Sequence, residues 1–197
     1  VKGPVKGPVK DRVLVAGVGN IFLGDDGFGV EVARRLAKLD LPDWVAVGDY
    51  GISGMHLAYD LADGVQTAIL VDAMPRGGEP GTVYVVEPER RAAASSQQTI
   101  SDNPVSDNPK SEYPSSDNPT LALFDGHGMQ PDVVLGMIDT LGGDVGRVLI
   151  VGCEPATAEP GMELSVPVAA AVDDAVRIVL DLIEAASAST GGTQSCA

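Results

Sequence analysis

An α/β fold, a three-layer αβα sandwich around a mostly parallel five-stranded sheet with one antiparallel strand, is predicted by three observations. Short continuous apolar runs recur along the chain: Val13-Leu14-Val15-Ala16, Ala68-Ile69-Leu70-Val71 and Val148-Leu149-Ile150-Val151. Runs of that kind are the pattern of strands buried on both faces. Segments of helical periodicity lie between them, as layered α/β folds require. Polar residues follow the strand runs: Asp26, Asp49, Asp72 and Glu154. Parallel strands would bring these to one edge of the sheet, where open α/β sheets bind ligands.

The first unit, Val13 to Leu36, organises the rest. Its strand ends in Gly17-Val18-Gly19-Asn20, and a glycine-rich loop follows that carries the adjacent acids Asp25 and Asp26. From about Gly29, the residues Val30, Ala33, Leu36 and Ala37 recur at helical spacing, and Pro42 is expected to close that helix region. Trp44-Val45-Ala46-Val47 is the second strand. Ser53 is placed to cap a helix over about 54–61. The third strand, Ala68 to Val71, ends in Asp72. Thr82 to Val86 makes a fourth strand. The turn before it is too short to hold a crossover helix, so it is expected to run antiparallel.

From Glu87 the composition changes to Ser, Asn, Pro and Asp, with the tetrad Ser-Asp-Asn-Pro starting at Ser101, Ser106 and Ser116. Such a stretch buries too little to offset its ordering entropy, so 88–120 is expected to be a disordered insertion. The fold resumes at Leu121. Phe124-Asp125-Gly126-His127-Gly128 leads into a helix from about Pro131 to Leu141. Val148 to Val151 is the last strand, and Ser165 is placed to cap a final helix reaching Ala185. The expected organisation is a single domain over 11–185. The duplicated VKGP units of 1–10 and the segment 186–197 are expected to be flexible tails.

A chain of 197 residues suits one domain with a real core. The net charge of −15 argues against nucleic acid and anionic membrane as partners, because phosphate binding needs clustered Lys and Arg. Two cysteines, Cys153 and Cys196, form no CxxC knuckle and give no ground for a structural disulfide. The N-terminal segment lacks the apolar centre of a signal peptide, and no apolar run is long enough to cross a bilayer. These features predict a cytoplasmic protein.

Two histidines narrow the chemistry. His56 sits within an expected helix, where a histidine usually has no ligand role. His127 lies between glycines, in a loop able to bend closely around something. Asp26, Asp72 and His127 would suit a divalent ion and leave positions open for water or substrate. The competing reading is that Asp25 or Asp26 caps the following helix and that Asp72 merely ends a strand. A dinucleotide site fits poorly, because the third glycine of GxGxxG falls on Phe22. A phosphoacceptor domain would need its acid pair directly at the end of strand one and a lysine after strand five; neither is present. No GxSxG elbow exists, and Cys153 has no basic neighbour in sequence.

These blocks together resemble a known family, the nickel–iron hydrogenase maturation endopeptidases. GVGNIFLGDDGFGVEVARRL is similar to its amino-terminal signature. Asp49-Tyr50-Gly51-Ile52-Ser53-Gly54 resembles its D-G-G-T-x-G turn, with Tyr50 where a glycine is usual. Ile69 to Ala73 resembles its strand with a terminal Asp, and Gly152-Cys153-Glu154-Pro155 followed by Leu164-Ser165 resembles its G-x-x-P and L-S pair. The resemblance implies an endopeptidase that removes the carboxyl-terminal extension of a hydrogenase large-subunit precursor after nickel insertion. It implies that Asp26, Asp72 and His127 are both the catalytic and the metal-binding trio. Asp26 stands where many members carry Glu. Nickel carried by the precursor is the implied metal, another divalent ion being open. The partner is the large-subunit precursor and the protein is expected to be a monomer. The alternative on the same fold is a non-catalytic module that checks for nickel during hydrogenase assembly.

Overall fold

The computed structural model describes residues 12–88 and 145–190. Five strands form one sheet in the order β2-β1-β3-β5-β4. They are β1 (Val13–Val18), β2 (Val45–Gly51), β3 (Val65–Ala73), β4 (Val83–Val86) and β5 (Val145–Cys153). β1 pairs in parallel with both β2 and β3, and β3 with β5. β4 pairs antiparallel with β5 at the edge, as its short leading turn requires.

Alternation along the strands builds two cores. Val13, Val15, Ile69, Val71, Leu149 and Val151 face helices α1 (Phe28–Leu36) and α3 (Val166–Thr190). Leu14, Ala16, Val18, Ala68, Leu70, Val148 and Ile150 face α2 (Gly54–Ala62) through Leu57 and Leu61. All six residues of β1 are buried, which is why that run shows no polar alternation in sequence. The chain leaves β1 over one face to reach β2 and returns over the other face to β3. The winding therefore reverses at β1, which opens a crevice beyond the carboxyl ends of β1 and β3.

The glycines of the first unit have a packing reason. A Cβ on Gly29 would lie 2.0 Å from the Val71 carbonyl oxygen and 2.4 Å from that of Val18. The first turn of α1 is thus pressed onto the ends of β1 and β3, and backbone atoms there cannot yield. Gly29→Ala is expected to cost about 3 kcal/mol of stability, measured as a lowered urea midpoint at unchanged slope. An unchanged midpoint would mean that the helix can lift off the sheet.

Three local expectations are corrected. Pro42 does not end the first helix, which stops at Leu36. Tight bonds from Lys38 N–H to the Arg35 carbonyl and from Leu39 N–H to the Leu36 carbonyl close it, while Pro42 opens the turn into β2 by accepting from Val45 N–H. Ser53 occupies the N-cap position of α2 without a side-chain capping bond. The final helix continues past Ala185 to Thr190, with Ala186 still buried against the core. Of the expected insertion at 88–120 all but Pro88 lies outside the described residues, as do the expected helix over 131–141 and residues 1–10 and 191–197.

Candidate functional site

The loop after β1 is shaped by Gly19, whose φ of +120° favours glycine. A Cβ there would sit 1.8 Å from the Asp26 carbonyl oxygen and 3.5 Å from Asp72 Oδ1. Gly19 therefore separates the Asp26 backbone from the Asp72 carboxylate, and its missing side chain lets the two approach. Asn20 N–H donates to Asp26 Oδ2 at 2.7 Å, and the Asn20 side chain accepts from Phe22 N–H at 3.0 Å. Asp72, at the end of β3, accepts from the N–H of Ala73 at 2.8 Å.

Burial first, and the charge of Asp26 second, push the Asp72 carboxyl up to about 8. A buried carboxyl raised by the charge of a neighbouring carboxylate is suited to a divalent cation, whose charge would offset both the burial and the repulsion. Asp26 and Asp72 are thus brought together as the sequence predicts. His127 lies outside the described residues. Among the described residues no group of three or more His, Cys, Asp or Glu side chains is arranged to hold a metal ion.

Asp25 has a different task from its neighbour. It lies on the 3₁₀ turn Gly24–Gly27, is fully buried, and caps no helix. Its Oδ2 accepts from Ala156 N–H at 2.8 Å, Thr157 N–H at 3.1 Å and the Ser165 hydroxyl at 2.9 Å, while Oδ1 accepts from Ser165 N–H at 2.6 Å. Burial pushes this carboxyl up, but the bonds from Ser165, Ala156 and Thr157 outweigh it, and the net direction is down. Ser165 therefore does not cap α3 with its side chain; its hydroxyl is turned to Asp25. The main chain tightens the same junction. Gly24 N–H donates to the Gly161 carbonyl and Gly161 N–H to that of Phe22, each at 2.9 Å.

A second buried carboxylate holds another loop. Glu154, just past β5, accepts from Arg76 N–H at 2.7 Å and Gly77 N–H at 3.1 Å. Those bonds, led by Arg76, hold it below the usual carboxylate range. Gly77, at φ +81°, lets successive N–H groups converge on one anion. Asp49, which the sequence also places at this edge, pairs instead with Arg34 at 3.3 Å. His56 is exposed on α2. Cys153 is buried, and burial raises its thiol to about 11, which suits packing better than nucleophilic work.

The roles of Asp25 and Glu154 as loop anchors were not visible in sequence. Each depends on main-chain N–H groups more than 70 residues away. The available signals were weak: an acid beside a needed acid, and the Gly77-Gly78 doublet.

Together these features define a doubly wound α/β protein with paired carboxylates at its topological switch point. The family model for hydrogenase maturation proteases matches residues 30–103. The hydrogenase expression/formation protein HupD of Rhizobium leguminosarum bv. viciae is 30% identical over 182 residues, covering 89% of this chain and 78% of that protein. A putative hydrogenase maturation protease of Methanocaldococcus jannaschii is 43% identical over 79 residues, 40% of this chain, and the match spans only about half (51%) of that relative. Among solved structures, the hydrogenase 2 maturation peptidase of Thaumarchaeota archaeon SCGC_AB-539-E09 is 33% identical with a TM-score of 0.61, covering 88% of this chain and 98% of that one. The hydrogenase maturating endopeptidase HybD of E. coli is 27% identical with a TM-score of 0.61, covering 88% and 93%. The chain belongs to the hydrogenase maturation protease family, a family of endopeptidases. Among the described residues no helix is long and apolar enough to cross a membrane.

Proposed function

We propose that this protein removes the carboxyl-terminal extension of a nickel–iron hydrogenase large-subunit precursor after nickel has been inserted, with Asp26, Asp72 and His127 engaging the nickel that the precursor carries. The observation that supports this reading most is the placement of Asp72 beside Asp26 at the switch point, with its carboxyl raised to about 8. Two adjacent carboxylates that repel each other form a site with a built-in preference for a cation over no cation. A precursor that presents a divalent ion satisfies them; an unloaded precursor does not. Nickel loading then acts as the licence to cut.

The same placement suits the chemistry of cleavage. A substrate ion can polarise the scissile carbonyl or activate a water. A carboxylate of the trio can serve as general base in such a step. Asn20 N–H holds Asp26 in place, and Ala73 N–H holds Asp72, so neither carboxylate needs reorganisation when substrate arrives.

Intact-mass spectrometry of a large-subunit precursor, with and without nickel, tests the reading. The expected result is loss of a carboxyl-terminal peptide only from nickel-loaded precursor, and none with His127→Ala. Cleavage of nickel-free precursor at the same rate would defeat the licensing idea. Retention of full activity by His127→Ala would remove that residue from the trio.

A further inference from the structure

Asp72, Gly152 and Tyr84 form one row across the sheet: Asp72 is in register with Gly152, and Gly152 with Tyr84. Residues in one row project to the same face, with neighbouring strands about 4.8 Å apart. Gly152 has no side chain to fill the gap between them. The Tyr84 ring occupies that space, so close that a Cβ on Gly152 would lie 2.4 Å from its Cε2. The Tyr84 hydroxyl donates to the Met74 carbonyl, which fixes the ring on the loop that follows β3. On this fixed ring lies the guanidinium of Arg76, 4.9 Å from the centroid.

The side chain of Arg76 is exposed, and among the described residues no carboxylate forms a salt bridge with it. The nearby Glu154 takes main-chain N–H groups of the 76–77 loop as its donors. A cation stacked on an aromatic ring is held in orientation with its N–H fork open at the edge. This one stands four residues past Asp72, in a chain of net charge −15. A precursor brought to this edge by its metal would meet the carboxylates of Asp26 and Asp72 and, beside them, the guanidinium of Arg76, whose charge also acts on Glu154.

We propose that Arg76, carried on Tyr84, is a specificity-determining residue that binds a carboxylate of the precursor's extension. The inference rests on the processing function proposed above. The guanidinium pairs with a carboxylate in bidentate fashion, a geometry that a lysine cannot reproduce. It binds ground state and transition state alike, so it sets KM and leaves kcat alone. The carboxylate has two possible sources, the free terminus of the extension and an acidic side chain within it.

The test is steady-state cleavage of nickel-loaded precursor by Arg76→Gln, Arg76→Lys, Tyr84→Leu and Tyr84→Phe. Arg76→Gln is expected to raise KM about tenfold with kcat within twofold. Arg76→Lys and Tyr84→Leu should give partial losses of the same kind, and Tyr84→Phe, which keeps the ring but loses its bond to the Met74 carbonyl, should give a smaller rise in KM than Tyr84→Leu. Two further substrates identify the source, one with an amidated terminus and one with the extension's acids changed to amides. One of them should raise KM for the wild type and add nothing to Arg76→Gln. If the wild type cleaves while Arg76→Gln shows unchanged KM, the Arg76 assignment is overturned and the processing function stands. If neither altered substrate weakens binding, the carboxylate partner is wrong. If the wild type leaves verified nickel-loaded precursor intact, the processing function falls and this inference with it.

Discussion

Asp72→Asn should abolish processing while making the protein itself more stable. Cleavage is expected to fall by at least about 100-fold, the usual scale for losing a positioned proton-transfer or metal-binding carboxylate. Stability moves the other way. In the native protein the Asp72 carboxyl is raised to about 8 by burial and by Asp26, against 3.8 for an unperturbed Asp. Between those values the unfolded chain has lost the proton and the native chain keeps it. Unfolding therefore releases a proton, and native stability falls as pH rises from about 3.8 to about 8. Asn is neutral at every pH and avoids this penalty. The gain in Tm of Asp72→Asn over the wild type, without added metal, should be small at pH 4, grow toward pH 8 and then level off. A gain independent of pH would show that the carboxyl is not strained by its surroundings. Equal activity of the two proteins would take Asp72 out of the reaction.

Asp25→Ala should be the most destabilising change at the other acid of the pair. It leaves three main-chain N–H groups and the Ser165 hydroxyl without their acceptor. Stranding that many donors is expected to cost about 3 kcal/mol or more. Asp25→Asn should cost less but not be neutral. Both carboxylate oxygens accept hydrogen bonds, so either orientation of the amide turns an NH₂ toward a donor. Ser165→Ala removes only the hydroxyl bond and should cost about 1 kcal/mol. Urea unfolding of the singles and of the Asp25→Ala/Ser165→Ala double mutant measures the coupling. Strict additivity would mean that the two residues do not act as one clasp. Because this carboxyl is lowered in the native state, its stabilisation is present above the ordinary carboxylate range and is lost on acidification through its native pKa. The acids of one dipeptide and its neighbouring strand thus shape the pH profile in opposite directions.

Much of this was written in the local chain. Continuous apolar runs at 13–16, 68–71 and 148–151 marked strands covered on both faces, and the sheet places them as β1, β3 and β5 at its centre. The short turn before Thr82 dictated an antiparallel partner, and β4 is one. Asp26 and Asp72 could be paired because parallel strands share a carboxyl edge. These inferences work because period, run length and connection length are local quantities with direct steric meaning.

What the letters could not decide depends on groups far apart in the chain. Asp25 and Asp26 are chemically identical neighbours, but a 3₁₀ turn sends successive side chains about 120° apart. One then meets the N–H groups of residues 156–165, and the other faces Asn20 and Asp72. Whether Ser165 caps α3 or clasps Asp25 was settled by that meeting, not by its position before a helix. The seat of Tyr84 over Gly152, and of Arg76 over Tyr84, needed the register of β4 on β5, in which Tyr84 pairs with Gly152, 68 residues on. Sequence determined the sheet, its edge and the acids along it, because burial and chain length act residue by residue. The tertiary structure alone decided which acid braces the loop and which is left strained for a cation, because desolvation and main-chain hydrogen bonding depend on what the folded chain brings alongside.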